Sequence, residues 1–301
     1  MIDHDQPLSL RERARGAYLG LAVGDALGAP VEFMTRSEIA AAHGVHRRMT
    51  GGGWLRVRPG QITDDTQMSL ALGDAIVQAQ GWDLRTVAEH FLAWMRSKPI
   101  DIGHTCRRGI VNFMHQGALE VPYEEGAAGN GVAMRNLAVV LYTVHSEADL
   151  VRYTLEQGHI THNHPLSDEA TLALARMTRA LLRGEGLTAC KTIADDLVTR
   201  MPKFRYVPYP HRASGYVVDT MQTVLHYFFN TTSFEQCLVQ TVNEGGDADT
   251  NGAIVGMLAG ALYGERAIPD LWLRPLERES RLRVEAQVDA LLTLAENLKP
   301  R

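Results

Sequence analysis

Two sets of glycine residues, each repeating at every fourth position, limit how this chain can fold more than any other feature. They lie near opposite ends of the sequence: Gly16, Gly20, Gly24 and Gly28, and Gly252, Gly256, Gly260 and Gly264. A glycine inside a helix costs about 1 kcal/mol relative to alanine, and a four-residue spacing places a whole set on one side of a helix. The pattern predicts two buried helices, each packed tightly against a neighbour, with the other glycine helix as a candidate neighbour. A membrane-helix dimerisation motif is the alternative, but Asp25 and the shortness of the second apolar run argue against it.

The rest of the chain also predicts helices. Ser9 and Glu12 form a capping box that begins the first one, which is expected to continue to about Leu27. Further helices are expected near Ser37–His43, after Thr63, and at Trp82–Arg96, His104 onward, Ala133–Val144, Ala148–Gln157, Ser167–Arg183, Thr188–Thr199, Ala213–Tyr227, Ser233–Val242 and Leu276–Leu298. Alternation with a period of two, which would indicate strands, is nearly absent. Because no low-complexity linker interrupts the chain, we expect an all-α fold in a single domain spanning residues 1–301, a compact bundle of many helices.

Composition and charge exclude several classes of protein. The formal net charge is −5 and the pI about 6.2, which argues against nucleic-acid binding through bulk charge. The three cysteines are odd in number and form no CxxC pair, which is typical of a reducing compartment rather than a disulfide framework or a zinc cluster. The sequence has no basic start with an apolar run and no apolar stretch of roughly 18 residues, so we expect a cytoplasmic protein.

Two acidic segments lie at the expected starts of helices. They are Thr63-Asp64-Asp65-Thr66 and Asp247-Ala248-Asp249-Thr250. Helix capping is the simple interpretation of each, and for the first segment alone it is favoured. One cap needs only one acidic group, however, and here four carboxylates occupy two helix starts. If the fold brings the segments together, five or six oxygen ligands meet, which suits hard divalent cations. Two cations a few ångströms apart would offset the repulsion among the carboxylates.

Other candidate residues are weaker when taken singly. Glu32, which follows Pro30, is interpreted from its own context as a surface charge, with a role as a ligand or acid–base group as the alternative. Asp101 lies between apolar neighbours just before a helix, so it is either an N-cap residue or a positioned general base.

Three further segments offer groups that could contact a ligand. His162, in His159-Ile160-Thr161-His162-Asn163-His164, matches no common zinc spacing, and a pocket wall or an ordinary loop is favoured. Gly129-Asn130-Gly131 could offer backbone N–H groups to a phosphate. Tyr216 could stack on a base, although aromatic residues more often belong to the core.

The motifs taken together resemble those of the ADP-ribosylglycohydrolases over nearly the whole chain. The segments that carry the resemblance are Gly20 to Glu32, Thr63 to Thr66, Gly129-Asn130-Gly131-x-Ala133-Met134-Arg135, and Gly245 to Thr250. Gly51 to Leu55, His159 to His162 and Val218 to Val224 are most similar to the branch of the family that acts on the nitrogenase iron protein. Four ordered motifs are far more specific than any one of them.

The resemblance implies an all-α fold with a binuclear Mn²⁺ or Mg²⁺ centre in a cleft. It implies removal of ADP-ribose from an arginine of ADP-ribosylated dinitrogenase reductase. Carried over residue by residue, it assigns metal ligands to Thr63, Asp64, Asp65, Asp247, Asp249 and Thr250. It assigns a catalytic carboxylate to Asp101, an acidic residue at the metal cleft to Glu32, and the ADP-ribose wall to Gly129, Asn130, Gly131 and His162. In some members a PII signalling protein binds the enzyme and holds it at a membrane, which would reconcile a cytoplasmic sequence with peripheral membrane association.

Two alternatives to arginine-linked hydrolysis stay open at this point. The first is the same fold acting on ADP-ribosyl-serine or poly-ADP-ribose. The second is a non-catalytic module that binds ADP-ribose or a partner. The full set of acidic residues argues against the second, because a pure binding protein has little need for six oxygen ligands.

Overall fold

The computed structural model describes residues 7–299, and within that range it contains fourteen α-helices and no strand. The α-helices are α1 Leu10–Gly28, α2 Arg36–His43, α3 Asp64–Ala79, α4 Leu84–Arg96, α5 His104–Gln116, α6 Leu137–Tyr142, α7 Glu147–His159, α8 Pro165–Leu182, α9 Gly186–Arg200, α10 Val217–Phe229, α11 Phe234–Val242, α12 Ala248–Tyr263, α13 Asp270–Leu273 and α14 Arg278–Ala295. Short 3-10 helices occupy Ala29–Val31, Glu125–Ala127, Pro202–Phe204, Glu265–Ala267 and Glu296–Leu298. The prediction of an all-α bundle is confirmed.

Helices α1 and α12 form the centre of the bundle and make its most extensive helix–helix contact. Their glycines face each other in antiparallel register. A Cβ atom added to Gly16 would lie 2.3 Å from the Gly260 carbonyl oxygen, one at Gly20 2.2 Å from that of Gly256, and one at Gly24 2.0 Å from that of Gly252. No side chain fits at those distances, so the glycines permit backbone contact between the two helices. The prediction of two closely packed glycine helices is confirmed.

The other helices surround this pair and bury it. Helices α11, α10 and α8 pack on α12, and α14 packs on both α1 and α3. One hydrophobic cluster runs through these contacts and includes Leu21 of α1, Leu72 of α3, Ile254 of α12 and Val288 of α14. Among the described residues, no helix has both the length and the apolar character needed to cross a membrane.

The central pair also determines where the two acidic segments lie. The same register continues to the last residue of α1, where a Cβ at Gly28 would lie 2.2 Å from the carbonyl oxygen of Ala248, the first residue of α12. The end of α1 is therefore in contact with the start of α12. Helix α3, which begins at Asp64, contacts both α1 and α12. The starts of α3 and α12 consequently lie close to each other beside the end of α1.

Two predicted helices begin later than expected. Helix α6 starts at Leu137 rather than at Ala133, because residues 131–136 form turns. Helix α10 starts at Val217 rather than near Ala213, because the backbone before Val217 forms hydrogen bonds to other segments of the chain. The Ala213 carbonyl oxygen accepts a hydrogen bond from the Asp247 N–H at 2.6 Å, and Tyr216 pairs with Gly129 in an isolated β-bridge. These tertiary contacts fix the segment in a non-helical conformation beside the acidic start of α12.

Candidate metal centre and active-site cavity

A cavity of about 360 Å³ opens where α1, α3 and α12 meet. Its lining contains five carboxylates and one hydroxyl, from Glu32, Asp64, Asp101, Asp247, Asp249 and Thr250. Its remaining lining includes Phe33, Trp54, Gly103, Cys106, Gly129, Asn130, Gly131, His162 and Gly215. The carboxylates alone come from four distant parts of the sequence, and the fold brings them to a single cavity.

The start of α3 is held in place by a buried acid of α1. Asp25 is fully buried and accepts hydrogen bonds from the Thr63 N–H at 3.0 Å, the Thr63 hydroxyl at 2.9 Å and the Thr66 hydroxyl at 2.5 Å. Burial raises the pKa of Asp25 to about 6, and these hydrogen bonds oppose the rise. The Thr63 hydroxyl also lies 3.1 Å from Asp65 Oδ2. Asp25 therefore orients the segment that carries Asp64 and Asp65.

The start of α12 is held from the other side of the cavity. Asp247 Oδ2 accepts a hydrogen bond from Asn130 Nδ2 at 2.6 Å, and the same amide donates to the Thr220 hydroxyl at 2.9 Å. Asn130 belongs to the Gly129–Gly131 turn, so this amide links the turn to the acidic segment. Asp249 lies one residue inside the helix and is almost completely buried.

The carboxylates of the cavity are close enough to perturb one another strongly. One carboxylate oxygen from each of Glu32, Asp247 and Asp249 lies within 4.8 Å of the others. The pKa of Asp249 is raised well above its usual value by burial and then by the charge of Asp65, which belongs to the other segment. Burial, followed by the Asp101 carboxylate, raises the pKa of Asp64 to about 7. The two acidic segments therefore share one electrostatic site.

Neither acidic segment caps its helix through a side chain. Thr63 and Asp247 occupy the N-cap positions of α3 and α12, yet neither forms a side-chain capping hydrogen bond. The capping interpretation favoured for Thr63 to Thr66 is therefore wrong. The carboxylates instead point toward one another, at an energetic cost that needs a compensating group.

The donor set fits divalent cations. Asp65 Oδ1 is buried and has no hydrogen-bond partner among the described residues, and an unpaired buried carboxylate oxygen is costly. The charges that raise the pKa of Asp65 are all other carboxylates: Asp25, Asp64 and Asp247. Oxygen ligands of this kind suit Mg²⁺ or Mn²⁺. A buried acidic cluster that could hold metal is therefore present.

Glu32 and Asp101 both face this cavity, which corrects their simpler interpretations. Glu32 is only 6% exposed, so the expectation of a surface charge is wrong. Its Oε2 accepts a hydrogen bond from Trp54 Nε1 at 2.6 Å, while burial and the Asp247 charge raise its pKa to about 8. Asp101 is half-buried, and burial raises its pKa. It is not an N-cap residue, because Gly103 occupies that position of α5.

The predicted ADP-ribose wall lies beside the acids. Gly129, Asn130, Gly131 and His162 all line the cavity. His162 is 2% exposed and packs so closely on the turn that a Cβ at Gly131 would lie 2.9 Å from its Cε1 atom. Tyr216 is 39% exposed and is not among the residues lining the cavity, whereas its neighbour Gly215 is.

Three supporting residues were missed by sequence reasoning alone. Asp25 was visible as a lone charge inside a glycine-rich helix, and a charge that the fold must bury needs a partner. Trp54 follows three glycines, and Arg135 ends the Gly129 to Arg135 motif. Nothing in their local context indicated that Trp54 donates to Glu32, or that Arg135 is buried beside Cys106 of the cavity lining.

Comparison with known proteins identifies the family. The family model for ADP-ribosylglycohydrolase matches residues 6–301. This chain belongs to the ADP-ribosylglycohydrolase family. It is 56% identical over 287 residues to the ADP-ribosyl-[dinitrogen reductase] glycohydrolase of Rhodospirillum rubrum, covering 95% of this chain and 98% of that protein.

More distant members of the family share the same extent of chain. The ADP-ribosylarginine hydrolase Tri1 of Pseudomonas putida is 31% identical over 302 residues, covering 93% of this chain and 78% of the relative. A solved structure described as an ADP-ribosylglycohydrolase-related protein complex superposes with a TM-score of 0.84 at 35% identity, covering 95% of this chain and 99% of the other. The helical architecture described above is thus the fold of the family.

Proposed function

We propose that this protein hydrolyses the N-glycosidic bond between ADP-ribose and an arginine side chain, with ADP-ribosylated dinitrogenase reductase as its protein substrate. The observation that carries the proposal is the convergence of two acidic helix starts and Glu32 in one cavity that is also lined by the Gly129–Gly131 turn and His162. The 56% identity to the Rhodospirillum rubrum glycohydrolase supports the choice of substrate. Hydrolysis would remove the modification and restore the unmodified arginine.

Two divalent cations, Mn²⁺ or Mg²⁺, are the proposed cofactors. Thr63, Asp64, Asp65, Asp247, Asp249 and Thr250 are their proposed ligands, and Glu32 lies close to two of them, Asp247 and Asp249. When bound, such ions supply positive charge that orients ribose hydroxyls and water. The buried and unpartnered Asp65 Oδ1 supports a cation at this place.

The acidic cavity itself suits the chemistry of the bond. Cleavage of a glycosidic bond develops positive charge on the ribose ring, and the same reasoning applies to an N-glycosidic bond. Asp101 and Glu32, the two cavity carboxylates that are not among the proposed metal ligands, would stabilise the developing charge without having to reorganise. They also favour a protonated guanidine, which is the better leaving group. The residues of this chain therefore favour the charge distribution of the transition state.

Asp101 is the proposed general base. Its carboxylate lines the cavity next to Asp64 and has a raised pKa, so it can accept a proton from water or from a ribose hydroxyl. The Ile102 N–H donates to Asp101 Oδ1 at 2.8 Å, which leaves the other carboxylate oxygen available. Glu32, held by Trp54, is the second proposed catalytic carboxylate.

Release of free ADP-ribose from ADP-ribosylated dinitrogenase reductase is the direct test. We expect release with Mn²⁺ or Mg²⁺ present and none after chelation. In the Asp101→Asn variant, the rate should fall at least about a hundredfold, the usual contribution of a general base, while ADP-ribose binding is largely kept. Asp195→Asn, which changes an exposed carboxylate of α9, is the matched control and should retain the wild-type rate.

The same assay distinguishes the alternatives. Hydrolysis of serine-linked peptides or of poly-ADP-ribose, without hydrolysis of arginine-linked protein, would change the proposed linkage. ADP-ribose binding without turnover under any divalent metal would indicate a non-catalytic binding module and would contradict the proposed enzyme.

Location and partners beyond the substrate are also proposals. Cys106, Cys190 and Cys237 are all buried and unpaired, which supports a reducing, cytoplasmic compartment. A PII signalling protein as a regulatory partner, and peripheral membrane association through it, stay predictions of the family resemblance. The assignment of residues 1–301 to one domain also stays a prediction, and residues 1–6 and 300–301 lie outside the described residues.

A further inference from the structure

Arg135 is a buried charge that has no acidic hydrogen-bond partner among residues 7–299. Its side chain is fully buried, and its four hydrogen-bond acceptors are all uncharged groups. They are the side-chain and backbone oxygens of Gln157, the Thr161 hydroxyl and Cys106 Sγ. The guanidinium carbon also lies 4.6 Å from the centroid of the Phe91 ring. Because burying an arginine without a carboxylate is costly, its place next to the active-site cavity needs an explanation.

The contact between Arg135 and Thr161 restricts the single proton of the threonine hydroxyl. Arg135 Nη2 lies 2.9 Å from Thr161 Oγ1, and a guanidinium can only donate, so the hydroxyl oxygen accepts there. The hydroxyl proton then has two acceptors available. His162 Nδ1 lies at 2.7 Å and the Gly158 carbonyl oxygen at 3.5 Å. The shorter contact has the geometry of a strong hydrogen bond and the longer one does not.

This direction of donation determines which nitrogen of His162 carries the ring proton. If Nδ1 accepts from Thr161, the proton of a neutral imidazole must be on Nε2. Nε2 lies on the side of the ring next to the Gly129–Gly131 turn, which lines the cavity, since a Cβ at Gly129 would lie 3.1 Å from it and one at Gly131 3.2 Å. The described residues provide no hydrogen-bond acceptor for Nε2. Its N–H is therefore available to a ligand in the cavity.

The surroundings also oppose a positively charged His162. Burial lowers its pKa well below the usual value, and the charges of Arg135 and Arg108 lower it further. A second ring proton would have to be placed on Nδ1, where it would meet the Thr161 hydroxyl proton. The hydroxyl could then turn only to the more distant Gly158 oxygen.

We propose that Arg135 and Thr161 are positioning residues that hold His162 as a neutral imidazole with its proton on Nε2. In this form His162 donates one hydrogen bond to an oxygen of bound ADP-ribose at the Gly129–Gly131 turn. The ligand in this statement rests on the proposed function, whereas the protonation of the ring does not. Arg135 acts through Thr161 and does not itself line the cavity.

The ¹⁵N chemical shifts of the His162 ring nitrogens test the proposal directly. The Mg²⁺-loaded full-length protein with ¹⁵N-labelled histidine would be measured between about pH 6 and about pH 8, the range in which an ordinary histidine titrates. The His162→Gln variant identifies the signals by subtraction. We expect a protonated Nε2 and an unprotonated Nδ1 throughout. A wild-type ring that carries its proton on Nδ1, or that titrates in this range, overturns the proposal without any variant.

Thr161→Val removes the hydroxyl at nearly constant volume and is the decisive variant. We expect its His162 to show a mixture of tautomers or a change in the protonated nitrogen, and its ADP-ribose affinity to fall about tenfold, as for loss of one hydrogen bond to a charged group. Thr161→Ser should restore both properties. A Thr161→Val protein with the wild-type tautomer and the wild-type affinity contradicts the proposal.

Thr178→Val is the matched control. The Thr178 hydroxyl is also fully buried, but it donates to the Leu174 carbonyl oxygen at 2.8 Å within its own helix. This variant should leave the His162 spectrum unchanged. The spectrum is independent of turnover, so a protein with the expected His162 tautomer but no hydrolysis of arginine-linked substrate would count against the proposed function alone.

Discussion

Single hydrogen bonds position the two proposed catalytic carboxylates. Asp101 is fixed by the N–H of the next residue, a local contact, whereas Glu32 is fixed by Trp54, which is distant in sequence. Trp54 is 53% exposed and its ring packs against Phe33, with centroids 5.4 Å apart. A half-exposed tryptophan adds little to the core, so its contribution here is the N–H group that it directs at Glu32.

Trp54→Phe isolates that N–H group. The variant retains an aromatic ring beside Phe33 but can no longer donate to Glu32. We expect kcat for ADP-ribose release to fall about tenfold, the usual effect of losing a hydrogen bond to a charged group, with little change in Tm.

Trp94→Phe is the control for the Trp54 experiment. It also removes an indole N–H hydrogen bond, here from Trp94 Nε1 to the neutral amide oxygen of Gln67 at 2.9 Å, outside the active-site cavity. It should leave kcat unchanged. Equal rates in the Trp54 variant and in the wild type would show that Glu32 does not depend on this contact.

Residue context alone predicts burial and partners poorly at this site. Glu32 follows Pro30 and lies in no amphipathic pattern, so its own context indicates solvent exposure, yet it is buried by Trp54 and by the start of α12. Asp25 and Thr63 are 38 positions apart, and Asn130 and Asp247 are 117 apart. Only the tertiary fold creates such contacts. The candidate site was therefore predicted from the ordered set of motifs and not from the context of any single residue.

At the scale of helices, the glycine pattern was sufficient to predict the central contact. Glycine at every fourth position gives a helix one side without Cβ atoms, and both α1 and α12 have such a side. The start of helix α10 could not be predicted from local sequence in this way. Its predicted start at Ala213 is suitable for a helix, but the carbonyl oxygen of Ala213 is the acceptor for the Asp247 N–H. A backbone hydrogen bond to a distant segment cannot be predicted from local sequence, because every residue except proline has the same backbone groups.

Gly24→Ala tests the close approach of α1 and α12. The added Cβ would lie 2.0 Å from the Gly252 carbonyl oxygen, so the helices must move apart. We expect a loss of about 3 kcal/mol in the free energy of unfolding, which corresponds to a fall of roughly 6 °C or more in Tm. Because α12 carries Asp247 and Asp249, the bound metal measured by elemental analysis should fall as well.

Gly81→Ala is the corresponding control. A Cβ at Gly81 would have Tyr142 Oη at 3.5 Å as its nearest neighbour, an ordinary contact. Its Tm and metal content should equal those of the wild type. A Gly24→Ala protein with wild-type Tm would show that the helix pair tolerates a wider separation than its geometry indicates.

In the whole molecule, the acidic cavity that the proposed activity requires lowers the stability of the metal-free protein. The carboxylates of Asp65, Asp249 and their neighbours raise one another's pKa, so the folded protein contains repulsion that the unfolded chain does not. Bound cations would convert that repulsion into attraction. The metal-free protein should therefore be the less stable form.

Thermal unfolding with and without metal measures this balance. Mg²⁺ or Mn²⁺ at about 100 times its Kd should stabilise the wild type by about 2.7 kcal/mol, which raises Tm by roughly 5 °C for a chain of this size. Asp65→Asn should raise Tm in EDTA, because it removes one buried charge, and should abolish most of the response to metal.

Asp195→Asn should behave as the wild type in both conditions, since its carboxylate is exposed. A wild-type Tm that is identical in EDTA and in saturating metal would contradict a cation site formed by these carboxylates.

The antiparallel register of α1 and α12 also has a consequence for synthesis. Asp25 and its helix leave the ribosome more than two hundred residues before the complementary glycines of α12. During that interval the glycine side of α1 lacks its native partner, and contacts so distant in sequence form slowly because a long loop must close first. The proposed activity can therefore arise only after α12 has been synthesised, and a translation product that ends before Ala248 would lack Asp249 and Thr250 of the cavity and should be inactive.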